Sequence, residues 1–238
     1  MKKFEIQDEP SKTAIMAGIS DIRGVLETYI NGQKITFLPK ISVLVKTEKR
    51  GIHMSRLIES IMMAWLETAR AQKIEDIGIN ILQYILRRKI STEKVEITCE
   101  GEYIYGVMEP CTVIIQTTKT GNEVSNLVGV KVTCISACPC ALEESKGAHT
   151  HTQNVDILAM KENGNAMEIL KIIEKYVTPT RELLKRDEEV NTIKKAFENA
   201  MFVEDIVRKI EPFVDYVSCL SHESIHKHKA IAISLKKE

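Results

Sequence analysis

The chain has 238 residues, of which 44% are hydrophobic and 28% are charged, the composition of an ordinary globular protein. Lysine plus arginine and aspartate plus glutamate both number 33, so the formal net charge is zero and gives no general argument for binding nucleic acid or a membrane. No apolar run approaches the ~18 residues that span a bilayer, and the early acidic residues argue against a secretory signal. We therefore expect a cytoplasmic protein.

The first half of the chain predicts strands, then helices, then strands. Residues 13–30 and 33–48 are rich in β-branched residues, as are 93–108 and 111–118. Between them, 55–72 and 74–89 change to helical periodicity. In the first of these helices we expect a methionine- and tryptophan-bearing stripe to face the core, formed by Ile58, Ile61, Met62, Trp65, Leu66 and Ala69.

The second half repeats that order. Strand patterns at 125–136 and 154–160 precede helical patterns at 166–177 and 188–210, and strand patterns at 213–221 and 229–237 close the chain. The order β-β-α-α-β-β thus occurs twice, which predicts two modules at residues 1–120 and 121–238. Helices grouped between strand pairs are typical of an α+β fold with antiparallel sheets and helices on one face.

The six cysteines are not expected to form disulfides, because cytoplasmic thiols stay reduced. Four of them lie in apolar, β-branched surroundings and are predicted to be buried: Cys99, Cys111, Cys134 and Cys219. Cys138 and Cys140 flank a proline just beyond a predicted strand, where a loop exposes them. Only these two are candidates for chemistry.

The segment "CPCALEESKGAHTHTQ" joins those two cysteines to His149 and His151. Thiolate and imidazole together suit zinc or ferrous iron. The C-x-C and H-x-H spacings allow a closed four-ligand zinc staple, and they equally allow an active site. The segment alone does not decide between the two.

Further polar candidates lie elsewhere. Near the C-terminus, "SHESIHKHKA" contains His222, Glu223, His226 and His228, and a strand beginning near residue 225 places His226 and His228 on one face. Acidic residues on predicted helices are Glu188, Glu189, Glu204 and Asp205. Arg56 opens the first long helix, whose N-terminus attracts anions.

Four motifs in order resemble the GTP cyclohydrolase family of the bacterial folate type IB and its archaeal methanopterin counterpart. They are "GIHMSR", "CPC" with "HTQN", "KRDEE…FVED" and "ESIHKHKA", which span residues 51–230. Two positions depart from the family pattern: Asn154 stands where the family has arginine, and Lys229 where aspartate is common. The resemblance implies a tunnelling fold (T-fold) of two β-β-α-α-β-β modules, and a homotetramer with active sites at subunit interfaces.

The resemblance also implies roles for individual residues. The catalytic groups are Cys138, Glu223, His226 and His228. The ligands of one divalent ion per site, Fe²⁺, Zn²⁺ or Mn²⁺, are Cys138, His151 or its competitor His149, Glu189 and His226. The contacts to the substrate GTP are Glu204, His53, Arg56 and Gln153. Glu204 accepts two hydrogen bonds from the guanine edge.

The implied reaction opens the imidazole ring of guanine, releases C8 as formate and forms a dihydroneopterin phosphate, either the triphosphate or the 2′,3′-cyclic phosphate. It needs an open metal position, which a closed staple would not leave. Two alternatives remain. One is a related T-fold enzyme, such as a nitrile reductase with Cys138 as nucleophile. The other is a non-catalytic protein with structural zinc at Cys138, Cys140, His149 and His151.

Overall fold

The computed structural model of the protein describes residues 5–30, 32–90, 93–105, 109–181 and 183–234. The chain forms two units, one made of residues 1–106 and 113–127 and the other of 107–112 and 128–238. Helices and largely antiparallel strands occur in both, so the protein is of the α+β class. No described helix is long and apolar enough to cross a membrane.

The first unit is built on long strands. Strands β1 (Pro10–Arg23), β2 (Leu26–Ile30), β3 (Gln33–Lys49) and β4 (Lys94–Tyr105) are its main members, and β3 pairs antiparallel with the other three. Along β3, side chains alternate between buried and less buried, as expected for a sheet with one covered face. Residues 13–30 were predicted as one strand region, but they form two strands, which pair with β3 in the same register and are interrupted only at residues 24 and 25.

Two helices of the first unit separate β3 from β4. Helix α1 (Met54–Ala71) and helix α2 (Ile77–Arg87) match the predicted periodic segments. The expected core stripe on α1 is confirmed at Ile61 and is wrong for most of its other members. Its buried face is instead Leu57, Ser60, Ile61, Ala64 and Thr68. Apolar residues occur on both sides of α1, so periodicity alone did not identify which side is buried.

Trp65 of α1 lies at the border between those two sides. It is partly buried, and its ring covers Gly24 so closely that a Cβ at that glycine would lie 2.4 Å from a ring carbon. The close packing of Trp65 on the interruption between β1 and β2 therefore requires a glycine, because a larger residue would not fit.

The remaining strands begin with β5 (Glu109–Thr120) and β6 (Glu123–Ala137), which contribute residues to both units. The second unit adds β7 (Thr152–Glu162), β8 (Thr178–Pro179), β9 (Tyr216–His222) and β10 (Ala230–Ile233). Strand β9 pairs antiparallel with both β7 and β10. Strand β6 neighbours β7 in this sheet and pairs antiparallel with β8.

The described residues of the second unit form the α-helices α3 (Pro139–Glu144), α4 (Ala166–Tyr176), α5 (Arg186–Glu198) and α6 (Val203–Ile210). The single helix predicted at 188–210 is thus two helices. Helix α5 ends before Asn199. A new helix, α6, begins at Val203, where the side chain of Asp205 accepts a hydrogen bond from the Phe202 N–H (3.2 Å). Helix α3 lies in a segment for which no helix was predicted.

The cysteine predictions are confirmed. Cys99, Cys111, Cys134 and Cys219 are buried, Cys138 is partly exposed and Cys140 is exposed. Burial raises the pKa of the Cys99 thiol to about 12, because a thiolate would lose its hydration there. The buried cysteines therefore behave as small apolar side chains.

Candidate active site

The two ends of the predicted metal-binding segment meet where β6 ends and β7 begins. The Cys138 N–H donates to the His151 carbonyl (3.1 Å), and Thr150 Oγ1 donates to the Cys138 carbonyl (2.7 Å). Cys138 lies just before α3, with Pro139 at the first helical position, where proline is favoured. The segment between them therefore closes into a loop that fixes Cys138 beside His151.

The two histidines of this segment have different surroundings. His151 Nδ1 lies 3.1 Å from Ser224 Oγ, in the C-terminal segment, so Nε2 is the nitrogen left for a ligand. His149 is exposed and belongs to the turn after α3, where its N–H and carbonyl both bond to Ser145 Oγ at 3.1 and 2.6 Å. Among the described residues, His151 is therefore the member of this pair that contacts the C-terminal segment.

Glu223 is held by two buried neighbours. Ser221 Oγ donates to Glu223 Oε1 (2.8 Å), and Ser221 is fully buried. The Gln153 amide, oriented with its nitrogen towards Glu223, lies 3.2 and 2.9 Å from the two carboxylate oxygens. Gln153, predicted as a substrate contact, therefore bonds to the carboxylate of another predicted site residue.

His226 and His228 lie side by side on the surface. Their rings stack with centroids 4.8 Å apart and planes inclined by 17°. A strand beginning near residue 225 would have placed them on one strand face, but the last strand begins later, in agreement with the strand predicted at 229–237. Strand β10 begins only at Ala230, because its ladder with β9 starts at the Ala230–Ser221 pair, and both histidines belong to the preceding loop.

The predicted glutamates begin two different helices. On α5, Glu188 accepts a hydrogen bond from the Lys185 N–H (2.8 Å), which leaves the exposed Glu189 as the projecting carboxylate. On α6, Asp205 caps the helix in the same way, and Glu204 is exposed. In each pair, one acid serves the helix N-terminus and the other is available for a ligand.

Glu204 lies close to β9. Burial, with smaller contributions from the negative charges of Asp156 and Glu204, raises the pKa of Cys219 on that strand to about 12. Helix α6, which carries Glu204 in its first turn, packs on β9 and β10, the last two strands of the chain.

His53 and Arg56 belong to the first unit. The His53 side chain is 13% exposed, and its Nδ1 and Nε2 lie 3.0 Å from Glu5 and 3.4 Å from Asp8. Hydrogen bonds from Lys49 and then His53 hold the pKa of Asp8 below its ordinary value. Both ring nitrogens of His53 thus face carboxylates, whereas Arg56, two residues into α1, is exposed.

The sequence did not predict the contact between Asp156 and His222. Asp156 on β7 accepts a hydrogen bond from Thr133 Oγ1 (2.7 Å), and its other oxygen lies 2.8 Å from His222 Nε2. Burial acts to raise the pKa of Asp156, but these two contacts outweigh it and hold the pKa below its ordinary value. The pair depends on the register that sets Asn154 opposite His222.

The side chains at this site are of types that bind metal ions, but those that the structure describes do not form a complete set of ligands. Cys138 and His151 supply a thiolate and an imidazole, which suit zinc or ferrous iron. Within the ranges that the structure describes, however, no three histidine, cysteine or acidic side chains are grouped so as to hold a metal ion. The closed staple of Cys138, Cys140, His149 and His151 is therefore not formed in this chain.

Comparison with known proteins identifies the relatives of the chain. Residues 5–232 match the family described as type I GTP cyclohydrolase FolE2. The chain is 30% identical to "GTP cyclohydrolase MptA" of Pyrococcus abyssi, covering 96% of this chain and 97% of that protein. It is also 30% identical to "GTP cyclohydrolase FolE2" of Thermotoga petrophila, covering 98% and 96%. The family match runs from before β1 into β10, and the chain belongs to the type I GTP cyclohydrolase family, a family of enzymes.

Proposed function

We propose that this protein is a metal-dependent GTP cyclohydrolase that hydrolyses the guanine imidazole ring of GTP, releases C8 as formate and forms a 7,8-dihydroneopterin phosphate. Two hydrogen-bonding contacts carry the proposal. The Cys138 N–H donates to the His151 carbonyl, and the His151 ring contacts Ser224, which follows Glu223 in the chain. A thiol, an imidazole and a fixed carboxylate thereby come to one end of the sheet. These are the groups that hydrolysis of an aromatic ring at neutral pH needs.

Cys138 and His151 would hold the metal ion, with Glu189 and His226 as the other ligands expected from the family. A bound divalent ion supplies Lewis acidity, which lowers the pKa of water to about 7 and so provides a nucleophile at neutral pH. The Ser224 contact at Nδ1 supports His151, rather than His149, as the imidazole ligand.

The chain's own residues would bind and orient the guanine. Glu204 is exposed at the start of α6, where its neighbour Asp205 satisfies the helix N-terminus. A free carboxylate of this kind accepts hydrogen bonds from guanine N1–H and the 2-amino group together. His53 and Arg56 remain predicted contacts to GTP, with Arg56 as a phosphate contact.

Proton transfer falls to Glu223 and the His226–His228 pair. Water adds across the C8–N7 double bond and the C8–N9 bond breaks, which leaves C8 as a formamide on N7; a second water then cleaves the C8–N7 bond and releases formate. Each addition needs a proton acceptor for water and a donor for a ring nitrogen. Glu223, held in place by Gln153 and Ser221, would accept the proton from water, and a ring N–H of the histidine pair would donate to the ring nitrogen.

The assembly and the fold family are part of the same proposal. We infer a T-fold of two modules, at about residues 1–120 and 121–238, and a homotetramer whose sites are completed by a second copy. Antiparallel pairing in both units supports the fold. The incomplete metal ligand set of the described residues supports completion by another chain.

The test compares two site variants with matched controls, after anaerobic addition of Fe²⁺, Zn²⁺ or Mn²⁺ to the metal-free protein. Cys138→Ser and Glu204→Gln should lose formate release from GTP by at least about 100-fold. The controls Cys140→Ser and Glu198→Gln, which each change an exposed residue of the same type, should stay within about threefold. Full activity in C138S or E204Q would contradict the proposed roles.

A further inference from the structure

His53 has a carboxylate on each side of its ring. Its Nδ1 lies 3.0 Å from the Glu5 carboxylate, and its Nε2 lies 3.4 Å from the Asp8 carboxylate. The two acids flank the 3-10 turn that precedes β1, whereas His53 comes directly before α1. The ring therefore ties together two parts of the first unit that are 45 residues apart in the chain.

The two contacts together require a charged ring. A neutral imidazole has one N–H donor and one nitrogen lone pair, and an ionised carboxylate can only accept. A neutral His53 would thus donate to one acid and turn its lone pair towards the other. The side chain is 13% exposed, which leaves little room for water to separate that mismatched pair. Only the imidazolium form donates to both acids.

We propose that Glu5, Asp8 and His53 form a pH-sensitive clasp, which holds the N-terminal turn against the start of α1 while His53 is charged and loosens it when His53 is neutral. We call these three residues the His53 clasp. Imidazole is the side chain whose ordinary titration falls between about pH 5 and pH 8. The clasp is therefore closed on the acid side of that titration and is lost as the pH rises through it.

The other charged groups around the clasp do not share this pH dependence. They are Glu9 next to the turn, Lys49 and Arg50 at the end of β3, and Arg56 in the first turn of α1. Carboxylates, amines and guanidinium groups ordinarily titrate outside the range of imidazole. Hydrogen bonds from Lys49 (2.6 Å) and then His53 hold the pKa of Asp8 below its ordinary value, so Asp8 stays ionised. The imidazole is the group that changes.

The expected opening is local. The Arg50 N–H donates to the Glu9 carbonyl (2.7 Å), and the Gly51 N–H donates to the Gln7 carbonyl (3.2 Å). These bonds continue the pairing of β1 with β3, and they need no imidazole. The ion pair between Arg50 and Glu9 (2.6 Å) is equally independent of His53. Opening therefore loosens the 3-10 turn and leaves β1 in place.

The clasp also affects the predicted contact of His53 with GTP, and this consequence alone rests on the proposed function. While both ring nitrogens face carboxylates of the same chain, neither is available to the substrate. A contact between His53 and GTP therefore requires the open clasp. The clasp itself is defined without nucleotide, so a protein that fails to release formate can still have it, and a protein that lacks it can still turn over GTP.

Hydrogen exchange tests the clasp directly. Deuterium uptake of the peptide covering residues 5–9 is measured by mass spectrometry from about pH 5.5 to about pH 8.5, a range that brackets the titration of imidazole, and is corrected for the intrinsic exchange rate at each pH. The corrected rate should rise about three- to fivefold across this range in the wild type, as expected for loss of a partly exposed ion pair. His53→Gln keeps a donor and an acceptor but does not titrate, so its rate should be high and independent of pH.

Two further variants separate the clasp from a general change in stability. Glu5→Gln removes one carboxylate that is 46% exposed, so the protein should fold normally and lose at least about half of the pH-dependent rise. Asp21→Asn breaks the exposed ion pair between Asp21 and Lys40 elsewhere on β1 and β3, and should keep the whole rise. A wild type whose corrected rate is the same throughout would overturn the proposal. So would a rise that persists in H53Q.

Discussion

Replacing Asp156 by asparagine removes the charge of the Asp156–His222 pair while keeping the size of the side chain. In the wild type the carboxylate is 24% exposed and accepts hydrogen bonds from Thr133 and His222. Hydrogen bonds to a charged group contribute about 1.5–3 kcal/mol when buried, and partial exposure reduces this to about 1 kcal/mol. Asp156→Asn should therefore lower the free energy of unfolding by about 1 kcal/mol at neutral pH, or Tm by about 2–4 °C.

The pH dependence gives the sharper form of this prediction. The pKa of Asp156 is lowered in the folded protein, so its contribution is fully present above the unfolded value of about 3.9. It is lost as the pH falls through the lower, folded pKa. Urea unfolding at a series of pH values should show a wild-type advantage at pH 5–7 that shrinks below about pH 4. Glu162→Gln, an exposed acid on the same strand, is the control. A wild-type advantage that stays constant down to pH 2, or none at pH 7, would refute the reasoning.

Three further predictions concern separate parts of the chain. Ser224→Ala removes the contact that fixes the His151 ring and should weaken Zn²⁺ binding, measured by competition with a chelating dye, about 10- to 100-fold; unchanged affinity would exclude a positioning role. Gly24→Ala places a Cβ 2.4 Å from the Trp65 ring and should cost about 1–3 kcal/mol of unfolding free energy, with a change in tryptophan fluorescence. After chelation at pH 8, iodoacetamide should label only the two cysteines of the C-P-C segment, as read by peptide mass spectrometry, and labelling of Cys99 in the folded protein would contradict its burial.

The sequence predicted the elements well wherever a pattern within one element determines the structure. Helices α1 and α2 follow from periodicity of 3.6, and four cysteines in β-branched runs are buried as expected. The identity of the buried side of α1 did not follow, because both sides are apolar. Periodicity detects a helix, but the choice between two apolar sides depends on which one meets the sheet.

The residue types of the candidate site could be recognised in the sequence, but the contacts between those residues could not. The C-P-C and H-T-H segment was found from residue types, and the structure closes it through a backbone hydrogen bond. The Asp156–His222 pair could not be found in this way, because it depends on the register of two strands distant in sequence. The positions of His226 and His228 depend on where the β9–β10 ladder starts, which local alternation does not fix.

The most direct test of the proposed reaction follows the carbon that it removes. GTP labelled with carbon-13 at C8 is incubated anaerobically with the metal-free protein and with protein supplied with Fe²⁺, Zn²⁺ or Mn²⁺, and the carbon-13 NMR spectrum is recorded over time. The account predicts that the C8 signal is replaced by that of formate only when metal is present, together with a pterin whose mass identifies the phosphate product. Folded protein that leaves the C8 signal intact with all three metals would contradict the account.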